Sequence, residues 1–347
     1  RRHRGRRGRA MTGRMPLDAA EALVARAFLA SKTGPAQARA VARALVAAEA
    51  DGQPGHGLIR VASYAAAARS GKVDGFAEPR LARPRPGFLQ VDAAHGFAYP
   101  ALDLARDTLV AAARAQGIAL AAITRSSHCG VLGHQVEALA EAGLVALMVA
   151  NTPASMAAWG GRRALFGTNP IAFAAPRPEA PPLVIDLSLT VTARGKIMAA
   201  AKEGRSIPQD WAVDPEGRPT TDPNAALAGT MLPAGGAKGS ALALMVELLA
   251  GGIAGPNFSF EATSFFSADG APPAVGQLVI AIDPGAGPGA SERMERFLTE
   301  MAAEEGVRVP GSRRLHARAQ AAVEGIAVLP ERLAEIEAIA AGQATLP

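Results

Sequence analysis

The chain has 347 residues, 49% of them hydrophobic and 4% aromatic, which is enough apolar material for one large or two ordinary domains. Charge or glycine interrupts its apolar runs well before the roughly 20 residues that span a bilayer, so the sequence predicts no membrane segment. The single cysteine, Cys129, cannot close an internal disulfide, which is typical of a reducing compartment and favours a cytoplasmic location.

The net charge of +5 is concentrated at the start of the chain. Residues 1–14 hold seven arginines, so the rest of the sequence is slightly acidic. Residues 1–16 are rich in glycine and arginine and are predicted to be a disordered basic tail, with Met11 or Met15 as an alternative start. The body lacks a basic stripe with interleaved aromatics, which excludes nucleic acid as the main partner but leaves open an arm that touches phosphate.

Helical patterns come first along the chain. Alanine-rich helices are predicted over residues 17–30 and 35–50, the second beginning at Pro35, and a third helix over residues 57–69. Glycine and prolines then indicate a domain boundary near residue 85.

Strands and helices alternate beyond that boundary. Strands are predicted over residues 88–92, 117–124, 145–151, 171–174, 183–186 and 277–282, and helices over 100–116, 134–142 and 239–249. Helical periodicity returns over residues 291–306 and 331–341. The pattern predicts an α/β domain over residues 86–290 and a helical domain built from residues 17–85 and 291–347.

His56, Arg60 and Tyr64 recur every four residues, so a helix over residues 57–69 would place them along one edge. Arginine pairs bidentately with carboxylate, and histidine titrates near neutral pH. The row could therefore hold a small carboxylate and pass a proton to the neighbouring carbon. A solvated helix face has the same spacing and stays an alternative.

Three later segments carry further polar candidates. His128 follows an apolar strand at its carboxyl end, where α/β proteins tend to bind ligands. Thr168 and Asn169 lie in a turn bounded by glycine and proline. Asp186 ends another apolar strand, where it is either a turn residue or an acceptor that fixes the tautomer of an imidazole.

Two glycine-rich segments suggest phosphate binding. Residues 285–290 fit the dinucleotide fingerprint, but the residues after them lack the alternating strands of a nucleotide-binding half, so a structural turn is preferred. Lys238 precedes a predicted helix within residues 235–239, where backbone amides and the helix dipole favour an anion. A purely structural helix start is the alternative there.

In this order the motifs resemble the type 2 malate/L-lactate dehydrogenase family over about residues 17–330. The matching positions are Asp51, His56, Gly57, Arg60, Tyr64, Ser127, His128, Asn151, residues 167–170, residues 186–188, Gly195, Lys196, Pro233, Lys238, Gly239, Pro310 and Gly311. Residues 173–176, 257–261 and 310–314 look closest to two branches. These are the Δ1-piperideine-2-carboxylate/Δ1-pyrroline-2-carboxylate reductases and the sulfolactate dehydrogenase-like enzymes.

The resemblance implies an α/β fold that is not Rossmann, with a mixed-sheet NAD(P)-binding domain beside a helical domain formed by both chain ends. It implies hydride transfer from NADPH or NADH to C2 of a small 2-oxo acid or cyclic 2-imino acid. The expected partner is therefore a small anionic substrate. The resemblance also implies a homodimer with shared active sites.

The resemblance also assigns roles to residues of this chain. His56, His128 and Asp186 would be catalytic, Asp186 lying beside the nicotinamide, and Arg60 would hold the substrate carboxylate together with Tyr64, Thr168 and Asn169. The residues expected to contact the cofactor are Leu132, Gly133, His134, Gln135, Val136, Ile185, Asp186, Leu187, Lys238, Pro310, Gly311, Ser312 and Arg313. Arg313 and Arg314 could pair with a 2′-phosphate, which would favour NADP over NAD.

One position departs from the family pattern. Many members have serine directly before the first histidine, whereas this chain has Gly55, so a serine–histidine relay is excluded and His56 needs another partner. Two other functions stay open on the residues alone. One is a metal-dependent enzyme that uses His56, His128, His134 and Asp186, and the other is a noncatalytic binder of a small ligand or nucleic acid.

Overall fold

The computed structural model describes residues 13–343. The helices are α1 (Leu17–Leu29), α2 (Pro35–Ala50), α3 (Val61–Ser70), α4 (Ala98–Gln116), α5 (Leu132–Glu141), α6 (Arg194–Lys202), α7 (Pro223–Ala228), α8 (Ala237–Glu247), α9 (Ala290–Ala303), α10 (Ser312–Glu324) and α11 (Pro330–Ala340). The strands are β1 (Gly13–Met15), β2 (Arg80–Arg85), β3 (Phe88–Asp92), β4 (Ile118–Ser126), β5 (Val145–Ala150), β6 (Met156–Ala157), β7 (Ala164–Phe166), β8 (Ile171–Ala175), β9 (Leu183–Leu187), β10 (Ala212–Val213), β11 (Thr230–Met231), β12 (Val275–Ile282) and β13 (Ile326–Val328).

Seven strands form the central sheet in the order β2-β3-β4-β12-β5-β8-β9. Only β3 and β4 run parallel, while every other neighbouring pair is antiparallel. The central strands β4 and β12 are apolar along nearly their whole length because helices cover both faces of the sheet. The mixed sheet confirms the predicted α/β, non-Rossmann architecture, since a Rossmann sheet is mostly parallel.

The helical layer combines both ends of the described chain. Helices α1, α2, α3 and α11 pack around one apolar cluster that includes Phe28, Leu45, Val61 and Ile336. Strand β1 pairs antiparallel with β13, Gly13 lying opposite Val328, so the two ends of the chain meet in this layer. The prediction of a helical part made from both chain ends is confirmed.

Several segments differ from the predicted organisation. Residues 13–15 form β1, although the sequence analysis predicted them as part of the disordered tail. Residues 1–12 of that predicted tail lie outside the described residues. Strand β2 joins the edge of the central sheet, ahead of the boundary expected near residue 85. The division at residues 85 and 290 therefore stays a prediction.

Helix α8 continues as a π-helix, Leu248–Ala254, and together they form the one stretch of residues 13–343 that is long and apolar enough to cross a bilayer. One side packs against the sheet through Ala243, Val246 and Ala250, as a core helix does. The other side exposes a strip of large apolar side chains, Leu242, Met245, Leu248 and Ile253. We call this strip the α8 face.

Candidate active site

The segment that carries His56 is not the continuous helix that its spacing predicts. Pro54–His56 and Leu58–Arg60 are separate 3-10 turns, and α3 begins only at Val61. Gly57 separates the turns at a close approach, since a Cβ there would lie 2.1 Å from Oε2 of Glu49. The expectation of one regular helical edge was wrong, because Pro54 and Gly57 interrupt the helix before it can include His56.

The two imidazoles nevertheless meet. The rings of His56 and His128 are stacked, with centroids 5.3 Å apart and an interplanar angle of 15°. Nδ1 of His128 is hydrogen-bonded to the hydroxyl of Tyr64. His56 and Tyr64 come from the helical layer and His128 from the loop after β4, so the imidazole pair lies between the two parts of the fold.

Burial sets the protonation of this group. It lowers the pKa of His56 to about 4 and the pKa of His128 well below its usual range, and the positive charge of Arg60 acts in the same direction. Burial also raises the pKa of the Tyr64 phenol to about 12. At neutral pH the imidazoles are therefore neutral and the phenol is protonated.

Arg60 lies next to the imidazoles. Its Nε donates a hydrogen bond to the carbonyl oxygen of Gly55 at 2.7 Å, and its guanidinium carbon lies 4.8 Å from the ring centroid of Phe266. Within residues 13–343 its two terminal nitrogens have no hydrogen-bond partner. They form a planar pair of donors that suits a carboxylate.

Nδ1 of His56 is buried and has no hydrogen-bond partner in the described part of the chain. Gly55, which precedes His56, has no side chain that could act as that partner. Asp186 does not replace that partner, because its Oδ2 accepts a hydrogen bond from the amide of Gly133 at 2.7 Å and contacts no imidazole among the described hydrogen bonds.

Asp186 lies near the end of β9, exposed to solvent but packed against Gly133 of α5. Desolvation there raises the pKa of its carboxyl, and the amide of Gly133 opposes that shift. His134, one residue further along α5, pairs instead with Asp51, the distance from Nε2 to Oδ2 being 2.9 Å.

Asp51 belongs to a buried ionic cluster that ties the helical layer to the sheet. Arg318 bonds to Asp51 and to Glu137, with N to O distances of 2.7 Å in both cases. Arg314 also bonds to Glu137 at 2.7 Å, and these contacts lower the pKa of both carboxyls. We call Asp51, His134, Glu137, Arg314 and Arg318 the ionic cluster.

The ionic cluster bears on two sequence predictions. Arg314 is 9% exposed and both of its terminal nitrogens are bonded to carboxylates, so it is not available for a 2′-phosphate, whereas Arg313 is exposed. Sequence reasoning missed Glu137 and Arg318. The sequence did contain a pattern that could have found them. His134 and Glu137 are three residues apart in α5, and Arg314 and Arg318 are four apart in α10, so each pair lies on one face of its helix.

Asn169 and Thr168 occupy different environments. Asn169 is fully buried, and its Nδ2 donates hydrogen bonds to Glu247 at 2.8 Å and to the carbonyl oxygen of Ala243 at 3.1 Å. Its backbone is left-handed, with φ of 39°. Asn169 thus holds the turn and has no exposed group for a substrate, while Thr168 is half-buried, with its amide bonded to Thr152.

Three of the segments expected to contact the cofactor converge. A Cβ on Gly133, at the start of α5, would lie 3.3 Å from Val184 and 3.1 Å from Asp186, both in β9. A Cβ on Gly311, before α10, would lie 3.2 Å from the carbonyl oxygen of Val184, and its φ of 88° requires glycine. The beginnings of α5 and α10 therefore meet at the end of β9.

The other expected cofactor residues are distributed around this junction. Leu132 and Val136 are buried in the core of the sheet, and Gln135 is half-buried on α5. Lys238 is exposed in the first turn of α8. The preceding residues contact the segment that follows β9, where the amide of Ala234 donates to the carbonyl oxygen of Leu189 at 2.9 Å.

An apolar cavity of about 750 Å³ opens beside the same junction. It lies between strands β8 and β9 and helix α9, and its lining includes Phe173, Ile185, Phe297, Pro310 and Arg293. Its volume is typical of small-ligand pockets, and a predominantly apolar lining suits a flat aromatic ring. The cavity adjoins Ser312, whose Oγ is buried without a partner within the described residues.

The described residues provide no set of ligands for the metal-dependent enzyme that was considered as an alternative. Among residues 13–343, no three histidine, cysteine, aspartate or glutamate side chains are grouped as a metal ion requires. His134 is paired with Asp51, and Cys129 is buried, which raises the pKa of its thiol to about 12.

Comparison with known proteins identifies the family. The malate/L-lactate dehydrogenase family model matches residues 15–337, and the chain belongs to that family. It is 50% identical over 305 residues to a (2R)-3-sulfolactate dehydrogenase (NADP(+)) of Chromohalobacter salexigens, covering 88% of this chain and 91% of that one. It is 44% identical over 324 residues to a Δ1-pyrroline-2-carboxylate/Δ1-piperideine-2-carboxylate reductase of Pseudomonas aeruginosa, covering 92% and 97% of the two chains.

Solved structures agree with that assignment. The crystal structure of Δ1-piperideine-2-carboxylate reductase from Pseudomonas syringae matches with a TM-score of 0.88 and 41% identity, over 94% of this chain and 100% of that one. Sulfolactate dehydrogenase from Methanocaldococcus jannaschii matches with a TM-score of 0.84 and 26% identity, over 93% and 96%. The resemblance and the fold predicted from the motifs are both confirmed.

Proposed function

We propose that the protein is an NADPH-dependent oxidoreductase that reduces C2 of a small 2-oxo acid or cyclic 2-imino acid. The observation that carries this proposal is the stacked pair of His56 and His128 beside Arg60, at the boundary between the helical layer and the sheet. A proton carrier and a carboxylate receptor there lie close enough to serve one small substrate. The enzymes named among its relatives catalyse reactions of this kind and include NADP-dependent members.

Arg60 binds the substrate carboxylate in this proposal. Its two terminal nitrogens offer the parallel donors that a carboxylate accepts, while the Gly55 carbonyl and the Phe266 ring hold the guanidinium in place. An anion at Arg60 also offsets the positive charge that depresses the pKa values of His56 and His128. Substrate binding therefore makes both imidazoles more basic and readier to carry a proton.

Tyr64 orients His128 for proton transfer. Because the phenol stays protonated, it donates to Nδ1 of His128, which places the imidazole proton on Nε2. The sequence assigned Tyr64 to the substrate, and we assign it to the imidazole instead. His56 stacks on the opposite side and can relay a proton to the substrate, so the acid is one of these two imidazoles.

The residues at the end of β9 fit the expected cofactor. Gly133, Asp186 and Gly311 bring three backbone segments together, Lys238 contributes an exposed cation for phosphate, and the neighbouring apolar cavity has room for an adenine ring. When bound, NADPH supplies the hydride. Asp186 and Gly133 would orient the nicotinamide side, and the cavity would hold the adenine side.

A substrate panel tests the proposal. Oxidation of NADPH and NADH should be followed by absorbance with pyruvate, oxaloacetate, sulfopyruvate, Δ1-piperideine-2-carboxylate and Δ1-pyrroline-2-carboxylate. We expect turnover with at least one of them and faster turnover with NADPH. Absence of turnover with every compound, by protein that binds NADPH, would overturn it.

We also propose that the enzyme is a cytoplasmic homodimer whose sites are completed by the partner. The α8 face supports the dimer, since Leu242, Met245, Leu248 and Ile253 form a contiguous apolar strip that a monomer rarely leaves in water. Sedimentation equilibrium of the wild type and of Leu248→Glu tests it. A wild-type monomer with full activity would contradict the proposal.

A further inference from the structure

A loop from the sheet side covers the imidazoles and Arg60, and its anchor is a buried lysine. The ring centroids of Phe265 and His128 are 5.0 Å apart, and the ring of Phe266 stacks on the guanidinium of Arg60. We call residues 264–269 the roof loop. The sequence analysis did not single out Phe265 or Phe266, because their contacts join segments that are far apart in the chain.

Lys72 holds the roof loop at the end of α3. Its Nζ donates hydrogen bonds to the carbonyl oxygens of Ser264, Ser267 and Asp269 at 2.7, 2.9 and 2.8 Å. The neighbouring Ser70 donates to the carbonyl oxygen of Ala268 at 2.8 Å. An ammonium has three protons, and all three of Lys72 are engaged, so the side chain is 4% exposed yet fully satisfied.

The charge distribution under the roof loop limits what can bind there. The small cavity beside Phe265 is lined by residues that include Tyr64, His128 and Lys72, and Lys72 is the one lysine or arginine among its described lining residues. Lys72 has no proton left for a ligand. Within one protomer, where Arg60 is taken by the first carboxylate, a second anionic group on the substrate would therefore lie against neutral imidazoles and phenylalanine rings, whose faces are electronegative.

An apolar or cationic group is favoured in the same place. A saturated ring removes apolar surface from water against Phe265, and a protonated imine nitrogen is attracted by an aromatic face. Resting on the proposed function, we propose that Phe265 and Phe266, positioned by Lys72, select substrates with one carboxylate and an apolar ring or chain over substrates with a second acidic group.

The experiment compares kcat/KM for Δ1-piperideine-2-carboxylate and for sulfopyruvate, with NADPH in excess. We expect the wild type to prefer the ring compound by about 100-fold or more, the discrimination available when a charged group lacks its partner. Phe265→Ala should lower kcat/KM for the ring compound by about tenfold and leave the Kd of NADPH unchanged. Phe76→Ala removes an exposed phenylalanine that stacks on no described aromatic ring and serves as the control.

Lys72→Met tests the anchor separately. It keeps most of the side-chain length but removes the three hydrogen bonds, so KM for the ring compound should rise about tenfold while the Kd of NADPH stays constant. Lys32→Met is the matched control, because Lys32 also bonds one carbonyl near this helix end, that of Arg69, but is exposed. If Lys72→Met fails to fold, Phe265→Ala alone decides.

The outcomes separate this inference from the proposed function. Turnover of sulfopyruvate that equals or exceeds turnover of the ring compound overturns the selection by the roof loop but leaves an NADPH-dependent reductase. Unchanged kinetics in Phe265→Ala also overturn it. Absence of turnover with either compound, and with the simple 2-oxo acids, overturns both.

Discussion

The hydroxyl of Tyr64 is hydrogen-bonded to Nδ1 of His128, across the boundary between the helical layer and the sheet. Tyr64 is 6% exposed, so water does not compete for this hydrogen bond. The tautomer of His128, a candidate acid on the sheet side, therefore depends on Tyr64, a residue of the helical layer.

Tyr64→Phe removes that hydrogen bond while keeping the ring. We expect kcat to fall by about three- to tenfold, the kinetic equivalent of a neutral hydrogen bond, with little change in the Kd of NADPH. Steady-state kinetics and cofactor titration check this. Thr33→Val is the control, since Thr33 is also buried and its hydroxyl donates to the carbonyl oxygen of Ser31, away from the imidazoles. Equal kcat values for the two variants would contradict the proposed role of Tyr64.

His56→Gln and His128→Gln distinguish the acid from its neighbour. Glutamine keeps much of the volume and removes the titrating proton, so the variant at the acid should lose about 100-fold or more in kcat while it still binds NADPH. The other variant should mainly alter substrate KM. Near-normal kcat in both variants from pH 6 to 9 would remove the imidazole pair from the mechanism.

Arg60→Lys keeps the charge but loses the planar pair of donors. Substrate capture should weaken by about 1.5–3 kcal/mol, the range for hydrogen bonds to charged groups, which lowers kcat/KM by roughly 10- to 100-fold. Arg69→Lys, in the helix that follows Arg60 and bonded to Ser31, should leave kcat/KM unchanged. If Arg60→Lys also leaves kcat/KM unchanged, Arg60 is an ordinary surface residue that does not bind the substrate carboxylate.

NADPH preference is expected to depend on exposed arginines near the apolar cavity. Arg293 lines that cavity and Arg313 lies in the first turn of α10, whereas Arg314 is occupied by the ionic cluster. The double variant Arg293→Gln/Arg313→Ala should reduce the NADPH to NADH ratio of kcat/KM by about tenfold or more. Arg296→Gln, exposed on the same helix as Arg293, is the control. An unchanged ratio would assign the preference to other residues.

Acid should destabilise the folded protein through His56. The pKa of His56 in the folded protein, about 4, lies below its ordinary value of 6.5. As the pH falls from 6.5 towards 4, His56 therefore binds a proton in the unfolded chain but not in the folded one, which favours unfolding. Stability is fully present above pH 6.5, and this residue accounts for a loss of up to about 3 kcal/mol across the window. Denaturant unfolding from pH 7 to 4 should show a smaller loss for His56→Gln. An equally steep loss would argue that His56 titrates normally.

Local sequence patterns predicted many of the regular elements. The spacing of His56, Arg60 and Tyr64 predicted residues that the fold does bring together, although Pro54 and Gly57 break the helix that the spacing assumed. Pro35 at the start of α2 and the apolar strands β3 and β9 were read correctly, because their signals lie within a few residues.

Relationships between distant segments could not be read in the same way. Whether Asp186 meets an imidazole or the amide of Gly133 depends on how β9 and α5 dock, which no local period encodes. The side chain of Asn169 was expected to contact the substrate because polar turn residues are usually exposed. In the structure it is buried and hydrogen-bonded to Glu247. Lys72 and the roof loop are 192 residues apart at their first contact.

The pairing of β1 with β13 has a consequence for the order of folding. The helices that carry His56 and Tyr64 are synthesised early, but the strand and helix that complete their layer, β13 and α11, emerge more than 300 residues after β1. Contacts of such long sequence separation form late and slowly. The substrate side of the site is therefore complete only after the last part of the described chain has folded. Removing residues 326–343 should abolish activity, although none of them is hydrogen-bonded to Arg60 among the described contacts.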